Sequence, residues 1–269
     1  MSTARESLLD IARRAVSGGV SILESKTMGS VSSKGDRDFV TDVDVAVQEH
    51  IRQFLANEAP HIAFLGEEGD HHHHRLDEGP CWALDPIDGT SNYIHGLPLF
   101  GISLALFENN EPTVGVIRIP ALRREYHAAA GMGAYRNGQR IRVGTSSRIS
   151  KSIISIGDYA VGRNAAQRNR PRLSLTGLLA ARAERIRMFG SAAFDLACVA
   201  DGSTDGCVIL SNNPWDIAAG AVIVRESGGM VYDSDGSAHN VRSRHTIAGN
   251  DLTAKELVAM VGQAHTEDG

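Results

Sequence analysis

Trp82-Ala83-Leu84-Asp85-Pro86-Ile87-Asp88-Gly89-Thr90 sets two carboxylates three residues apart behind an apolar run. Trp82 to Leu84 reads as the end of a buried strand, since a short apolar run bounded by turn residues is the pattern of a core strand. A strand ending in Asp-Pro-Ile-Asp must aim both acids at one point if they share a cation. Hard divalent ions such as Mg2+ take oxygen ligands of this kind. Gly89 lets a backbone approach closely, and the amides that follow can meet a phosphate. The stretch points to metal-assisted phosphoryl chemistry.

Upstream, Ile62 to Leu65 reads as a short strand ending at Gly66-Glu67-Glu68. Before it, Thr41 or Asp42 caps a helix with Val45, Ile51, Phe54 and Leu55 inward. The chain opens with another helix (Leu8, Leu9, Ile11, Ala12, Ala15, Val16), which Gly18-Gly19 should weaken, and residues 29 to 38 read as a mobile loop. Downstream, segments 100–107, 113–119, 125–129 and 133–136 alternate with turns at Asn109-Asn110 and Asn137-Gly138, an antiparallel pattern. After about residue 145 the rhythm changes. Strands at 153–156, 186–189, 206–210 and 246–248 alternate with helices at 174–184, 191–200, 215–227 and 252–261, as in a layered α/β unit. The expected organisation is an α+β half, residues 1–145, carrying most of the candidate ligands. An α/β half, residues 146–269, supplies Asp216 and pocket residues.

A chain of 269 residues, 42% apolar and 22% charged, fits a folded protein of one large or two modest domains. The net charge is −5 and basic residues form no long stripe, which argues against a nucleic-acid surface. The richest basic run, Arg163 to Arg172, reads as a solvated helix and loop. Cys81, Cys198 and Cys207 imply no disulfide framework, so a reducing cytoplasm is expected. Residues 1–23 lack a signal-peptide core, and no stretch is long enough to span a membrane.

Five acids sit at the ends of elements: Asp44, Glu67, Asp85, Asp88 and Asp216. Alone, each reads as a helix-dipole or turn residue. Together the segments resemble those of the inositol monophosphatase family of Mg2+-dependent, lithium-sensitive phosphatases. The resemblance rests on Val40-Thr41-Asp42-Val43-Asp44, Gly66-Glu67-Glu68, Trp82 through Tyr93, Trp215-Asp216-Ile217-Ala218-Ala219-Gly220 and Glu226-Ser227-Gly228-Gly229, in that order and nearly end to end. It implies a sandwich of alternating helix and sheet layers shared with fructose-1,6-bisphosphatase. It further implies that Glu67, Asp85 and the Ile87 carbonyl hold one Mg2+, that Asp85, Asp88 and Asp216 hold a second, and that a third sits near Glu67. Thr90 and Asp44 would position and deprotonate a water, the Gly89 and Thr90 amides would grip the phosphate, and Ala192 and Asp216 would line the substrate pocket. A homodimer and lithium inhibition are implied as well.

One position departs. Inositol-specific members carry an acid seven residues before the Trp-Asp aspartate; here it is Ile209, which cannot accept from a polyol. The phosphatase chemistry is untouched, while myo-inositol specificity is not supported. Fructose 1,6-bisphosphate, histidinol phosphate and 3′-phosphoadenosine 5′-phosphate are the alternative substrates.

Rival readings fare less well. Asp42-Val43-Asp44 resembles a paired-aspartate nucleophile, but only Phe39-Val40 precede it where a buried strand is needed. No cysteine has an arginine six residues on. A non-catalytic regulatory member should lose a ligand, and none is lost. His71 to His74 reads as a solvated loop able to capture a metal adventitiously, Lys34 as part of a flexible loop over the site, and Trp82 and Trp215 as core. His95 reads as a surface or hydrogen-bonded histidine. Gly131-Met132-Gly133 lacks the third glycine of a dinucleotide loop.

Overall fold

A seven-stranded sheet buried on both faces carries Asp85 and Asp88. This computed structural model describes residues 2–26, 29–35, 38–69 and 79–266; the His71–His74 run lies outside them. Along the first part run α1 (Ser2–Ser25), β1 (Val31–Gly35), β2 (Asp38–Thr41), α2 (Asp42–Glu58), β3 (Ala63–Gly66), β4 (Cys81–Asp88), α3 (Thr90–Ile94), β5 (Gly101–Glu108), β6 (Glu111–Ile119), β7 (Arg124–Ala129), β8 (Ala134–Arg136) and β9 (Gln139–Arg140). Strands β3 to β9 form the sheet in sequence order. All its pairs are antiparallel except β3 with β4, which is parallel. The Asn109-Asn110 and Asn137-Gly138 turns both have positive φ at their two residues, the backbone a tight hairpin needs.

Side chains alternate across this sheet with period two. Trp82, Leu84, Ile102, Leu104, Leu106, Val114 and Val116 face α1 and α2. Cys81, Ala83, Ala105, Phe107, Ile117 and Ile119 face the opposite way.

The second part comprises β10 (Ile153–Ile156), α4 (Ala165–Arg182), β11 (Arg185–Arg187), α5 (Ala192–Ala200), β12 (Gly206–Ile209), α6 (Pro214–Glu226), β13 (Met230–Tyr232), β14 (Thr246–Gly249) and α7 (Asp251–Thr266). Its five strands order as β11-β10-β12-β14-β13. Helices α5 and α6 lie between the two sheets, so Leu196, Val222 and Ile223 share one core with Ala83, Ile117, Cys207 and Ala248. Helices α4 and α7 cover the outer face of the second sheet through Leu175, Leu179, Leu257 and Val261 against Ile154, Val208 and Ile247. The result is the expected layered sandwich: helix, sheet, helix, sheet, helix.

Two glycines set the spacing of the layers. A Cβ on Gly115 of β6 would lie 2.5 Å from the Ala219 carbonyl oxygen, so α6 rests directly on the sheet backbone. A Cβ on Gly19 would lie 2.7 Å from Ile51 Cδ1. Gly18-Gly19 was expected to weaken α1, yet the helix runs through, because those glycines let α1 close on α2.

Other differences have physical causes. Residues 31–35 and 38–41 pair as antiparallel strands, β1 with β2, where a mobile loop was expected over 29–38. Residues 31–35 are all exposed, so no apolar alternation marked the strand. Val45 is 53% exposed rather than inward; the buried stripe of α2 runs through Val43, Val47, Ile51 and Leu55. Helix α4 begins nine residues before the expected 174, with Pro171 inside it. The short strand β13 had no expected counterpart.

Candidate metal and phosphate site

A regular strand would send residues 85 and 88 to opposite faces, since their separation is odd. Strand β4 avoids this by a register shift. Asp85 pairs with Ser103 and Asp88 with Gly101, so β4 carries one residue more than β5 between these pairs. Pro86 sits in this bulge, where its missing N–H costs no ladder bond. The Ile87 amide donates to Asp85 Oδ1 at 2.9 Å, and the Ile87 side chain is anchored in the core beneath. Both acids then turn to the same side.

Three further elements bring acids to that side. Glu67 follows β3, and its amide donates to the Leu84 carbonyl at 3.1 Å, continuing the parallel ladder. Asp216 stands in the first turn of α6, where Asn213 Nδ2 donates to it at 3.1 Å. Glu67 and Asp216 lie close enough to Asp85 for their charges to act on it. Burial, and then the charges of Glu67, Asp88 and Asp216, push the Asp85 carboxyl well above the usual range. Asp216 is raised by burial and by Asp88 and Glu67.

Asp88 is held differently. Ser191 Oγ donates to it at 2.5 Å and the Ala193 amide at 2.6 Å, with the Ala192 amide at 3.3 Å. The amino end of α5 thus receives this carboxylate, as helix polarity favours. Burial still outweighs those bonds and lifts Asp88 to about 6.

Asp44 is fully buried. Its Oδ2 accepts from the Thr41 amide at 2.9 Å and from the Thr41 hydroxyl, while the Thr41 hydroxyl caps α2. Its Oδ1 faces Thr90 Oγ1 at 3.4 Å, and that hydroxyl also lies 3.0 Å from the Ile87 carbonyl. Burial raises the Asp44 pKa despite the Thr41 bonds. Asp44 is thus both the capping acid of the bland reading and a partner of Thr90. Gly89 opens α3 at φ 87°, with the Gly190 and Leu99 carbonyls each 3.1 Å from where a Cβ would stand. Only glycine fits that conformation and that gap.

Several contributors carried no assigned role in the sequence reading. Gln48 accepts from the Glu68 amide at 2.9 Å and donates to its carbonyl at 2.7 Å, fixing the backbone beside Glu67. Lys34, on β1, bridges Glu67 and Glu68 at 2.7 Å each. Burial opposes the Lys34 charge, but these contacts hold its pKa above the ordinary lysine value. Glu68 rises to about 7, driven first by burial, with Lys34 pulling the other way. Ser191 was legible only as the first residue of a helix; it is the N-cap of α5. The Gly131 and Gly133 amides grip the Glu226 carboxylate, a turn rather than a nucleotide loop. His95 is exposed and bonded to the Ser91 carbonyl. Trp82 is fully buried, and Trp215 packs against the core.

Among the described residues no three His, Cys, Asp or Glu side chains stand in a ready-made cage. The donor set nevertheless suits a hard divalent cation. It is all oxygen, it is crowded enough to raise Asp85, Asp88 and Asp216, and the nearby ammonium of Lys34 is engaged with Glu67 and Glu68.

Fold and site define an αβαβα sandwich with a carboxylate-lined, glycine-backed pocket between its sheets. The inositol monophosphatase family profile matches residues 3–267, and the chain belongs to that family. It is 38% identical over 257 residues to the fructose-1,6-bisphosphatase/inositol-1-monophosphatase of Thermotoga maritima, covering 94% of this chain and 91% of that protein. It is 34% identical over 256 residues to the Nus factor SuhB of Salmonella typhimurium, covering 94% of each. The solved structure of a Thermotoga maritima IMPase superposes with a TM-score of 0.87 at 36% identity, covering 97% of this chain and 99% of that one.

Proposed function

We propose that the protein is a Mg2+-dependent phosphatase that hydrolyses a small phosphate monoester, inositol monophosphate or a related polyol or sugar phosphate, with water as the nucleophile. The observation that carries this reading is the convergence of Glu67, Asp85, Asp88 and Asp216 from three separate elements onto one cluster. Family membership supports the phosphatase class. Glu67, Asp85, Asp88, Asp216 and the Ile87 carbonyl would hold two or three ions. When bound, Mg2+ supplies charge neutralisation for a phosphate dianion, acidifies water and stabilises the leaving oxygen.

The chain's own residues supply the rest. Asp44, made more basic by burial, is suited to accept a proton, and Thr90 links it to the pocket through one hydroxyl. Asp88 is fixed by α5 and cannot swing away, which preserves the alignment that phosphoryl transfer depends on. The Gly89 and Thr90 amides at the start of α3 would grip the phosphate. Ala192 and Ile209 line the cleft beside Asp88 and Asp216. Ile209 offers a substrate hydroxyl no acceptor, so a polyol is held less selectively there.

The bisphosphatase alternative has in its favour the Thermotoga relative, a fructose-1,6-bisphosphatase/inositol-1-monophosphatase. Histidinol phosphate and 3′-phosphoadenosine 5′-phosphate remain in the comparison panel. A regulatory role draws on the Nus-factor relative; retention of every candidate ligand favours catalysis. A homodimer and a cytoplasmic location complete the proposal. Phosphate release from these monoesters with and without Mg2+ tests it. Turnover should require Mg2+, fall with Li+ and vanish in Asp88→Asn. Absence of Mg2+-dependent turnover on every ester would leave the regulatory reading.

A further inference from the structure

Two imidazoles take no part in the acid cluster and stand side by side. His245 immediately precedes β14, and His265 lies in the last turn of α7. Strands β13 and β14 are antiparallel neighbours, and α7 packs on both, which brings the end of the helix to the β13–β14 connection. The two ring centroids are 6.3 Å apart and the ring planes are tilted by 49°.

Each ring spends its Nδ1 on the protein. His265 Nδ1 lies 2.8 Å from the Val261 carbonyl. A carbonyl only accepts, so the proton sits on Nδ1. His245 Nδ1 lies 2.7 Å from Ser234 Oγ. That hydroxyl donates to Asp233 Oδ1 at 3.4 Å, so it accepts from His245, and the proton is again on Nδ1. Asp233 is itself fixed. Its Oδ1 accepts from the Ser234 and His245 amides at 2.6 and 3.1 Å, and its Oδ2 from the Arg244 amide at 2.9 Å. A neutral imidazole protonated at Nδ1 presents a bare lone pair at Nε2. Neither Nε2 has a hydrogen-bond partner among the described residues. Burial is the first cause that holds the His245 pKa below the usual histidine value, against the pull of Asp233. The ring is therefore neutral at pH 7, as a metal ligand must be.

The spacing suits one ion. With Zn–N near 2.0–2.1 Å, an ion on Nε2 lies ~3.2 Å from the ring centroid, so two rings on one ion have centroids at most ~6.4 Å apart. The observed 6.3 Å is inside that limit. His265 is exposed, and a small turn of its ring brings the pair toward the ~5.2 Å of a tetrahedral angle. A hydrogen-bonded Nδ1 with an open Nε2 is what outer partners impose on metal-ligating histidines. Imidazole donors select zinc, copper or nickel, where the all-oxygen acid cluster suits Mg2+. Arg244 and Arg172 also act on His245 and oppose a cation, so the ion is held less tightly than in a closed four-ligand site.

We propose that His245 and His265 are the protein ligands of a transition-metal site, taking Zn2+ or a similar ion through their Nε2 atoms, with water completing the shell. An ion there ties the last turn of α7 to the β13–β14 connection. The site uses other residues and other donor atoms than the acid cluster, and it stands whether or not the phosphatase reading does.

The test removes the histidine run as a competing trap by His71→Gln, His72→Gln, His73→Gln and His74→Gln in the full chain. That chain is titrated with Zn2+ by calorimetry under saturating Mg2+. One equivalent should bind that His245→Gln and His265→Gln each weaken by about 100-fold or more, while Ser234→Ala, which keeps both ligands, should weaken it about tenfold. At a hundredfold excess of Zn2+ over Kd, Tm should rise about 5 °C further in the parent than in either histidine variant. In the 15N-labelled wild type, which needs no variant to fold, the two Nε2 resonances should shift together with Zn2+ and stay in place with Mg2+. Equal Zn2+ binding by the parent and both variants overturns the site. A loss confined to one variant also overturns it, since that marks a single histidine capturing metal alone, and so does Zn2+ that moves neither Nε2 resonance.

Discussion

Replacing Asp88 by Asn in the metal-free protein isolates the electrostatic load of the acid cluster. Burial lifts the Asp88 carboxyl from 3.8 to about 6. A folded-state pKa above the unfolded one means that the native form binds more protons. The associated stability is complete below pH ~4 and is lost as pH rises through ~6. That rise corresponds to ~3 kcal/mol at neutral pH. With an unfolding entropy of ~2.1 cal/mol/K per residue over the chain, this is ~5 °C in Tm. The raw pH profile is not diagnostic, because burial lowers His239 to about 4, which gives the opposite slope. His239 is present in both proteins, so the difference between them cancels it. Tm of Asp88→Asn minus Tm of wild type, measured calorimetrically in chelator, should therefore climb by ~5 °C between pH 4 and 7.5. A constant negative offset is expected from the weaker grip of an amide on Ser191 and the Ala193 N–H. Saturating Mg2+ at pH 7.5 should raise wild-type Tm and leave the variant nearly unmoved. A flat or falling difference curve refutes the argument that these acids are crowded and uncompensated.

Three other perturbations follow from the geometry. Thr90→Ala should lower kcat ~100-fold with an unchanged circular dichroism spectrum, and Thr90→Ser should restore most of it, if the hydroxyl links the pocket to Asp44. Gly115→Ala should destabilise by ~1–3 kcal/mol in urea, since the new methyl meets the Ala219 backbone; the displaced α6 should also raise the Mg2+ concentration needed for half-maximal activity. Glu125 is held down to about 2, first by the His127 ring, whose Nδ1 lies 3.3 Å from its carboxylate, and then by Arg13. A depressed carboxyl stabilises above pH ~4.5 and loses that contribution as pH falls toward ~2, so Glu125→Gln should flatten the acid limb of stability by ~1–3 kcal/mol.

Much of the fold was legible because both sheets are buried on two faces. Apolar runs such as Cys81–Leu84 and Ile153–Ile156 then stand out between turn residues. The acids of the site were legible for a different reason: Asp85, Asp88, Glu67 and Asp216 each interrupt or end such a run. What escaped was structure without an apolar signal. The pairing of β1 with β2 is made by backbone bonds and β1 carries no apolar alternation, so Lys34 read as loop. The first turns of α4, rich in Arg and Asn and carrying Pro171, have no amphipathic stripe, so Arg168 and Arg172 read as solvated. The bulge at Pro86 was also hidden, since alternation alone sends Asp85 and Asp88 apart. Gln48 and Ser191 act through contacts across twenty and more than a hundred positions, which no local pattern carries.

The coupling of Asp88 to the start of α5, and of Asp85 to Asp216 on α6, has a consequence for synthesis on the ribosome. A nascent chain that has emerged through residue 90 already exposes most acids of the site, yet the helix that clasps Asp88 and the Asp216 carboxylate have not been made. Such an intermediate should repel itself at the site and hold divalent ions weakly. On the proposed metal-dependent reading, metal uptake is then a late event in biogenesis, confined to molecules whose final layers have docked.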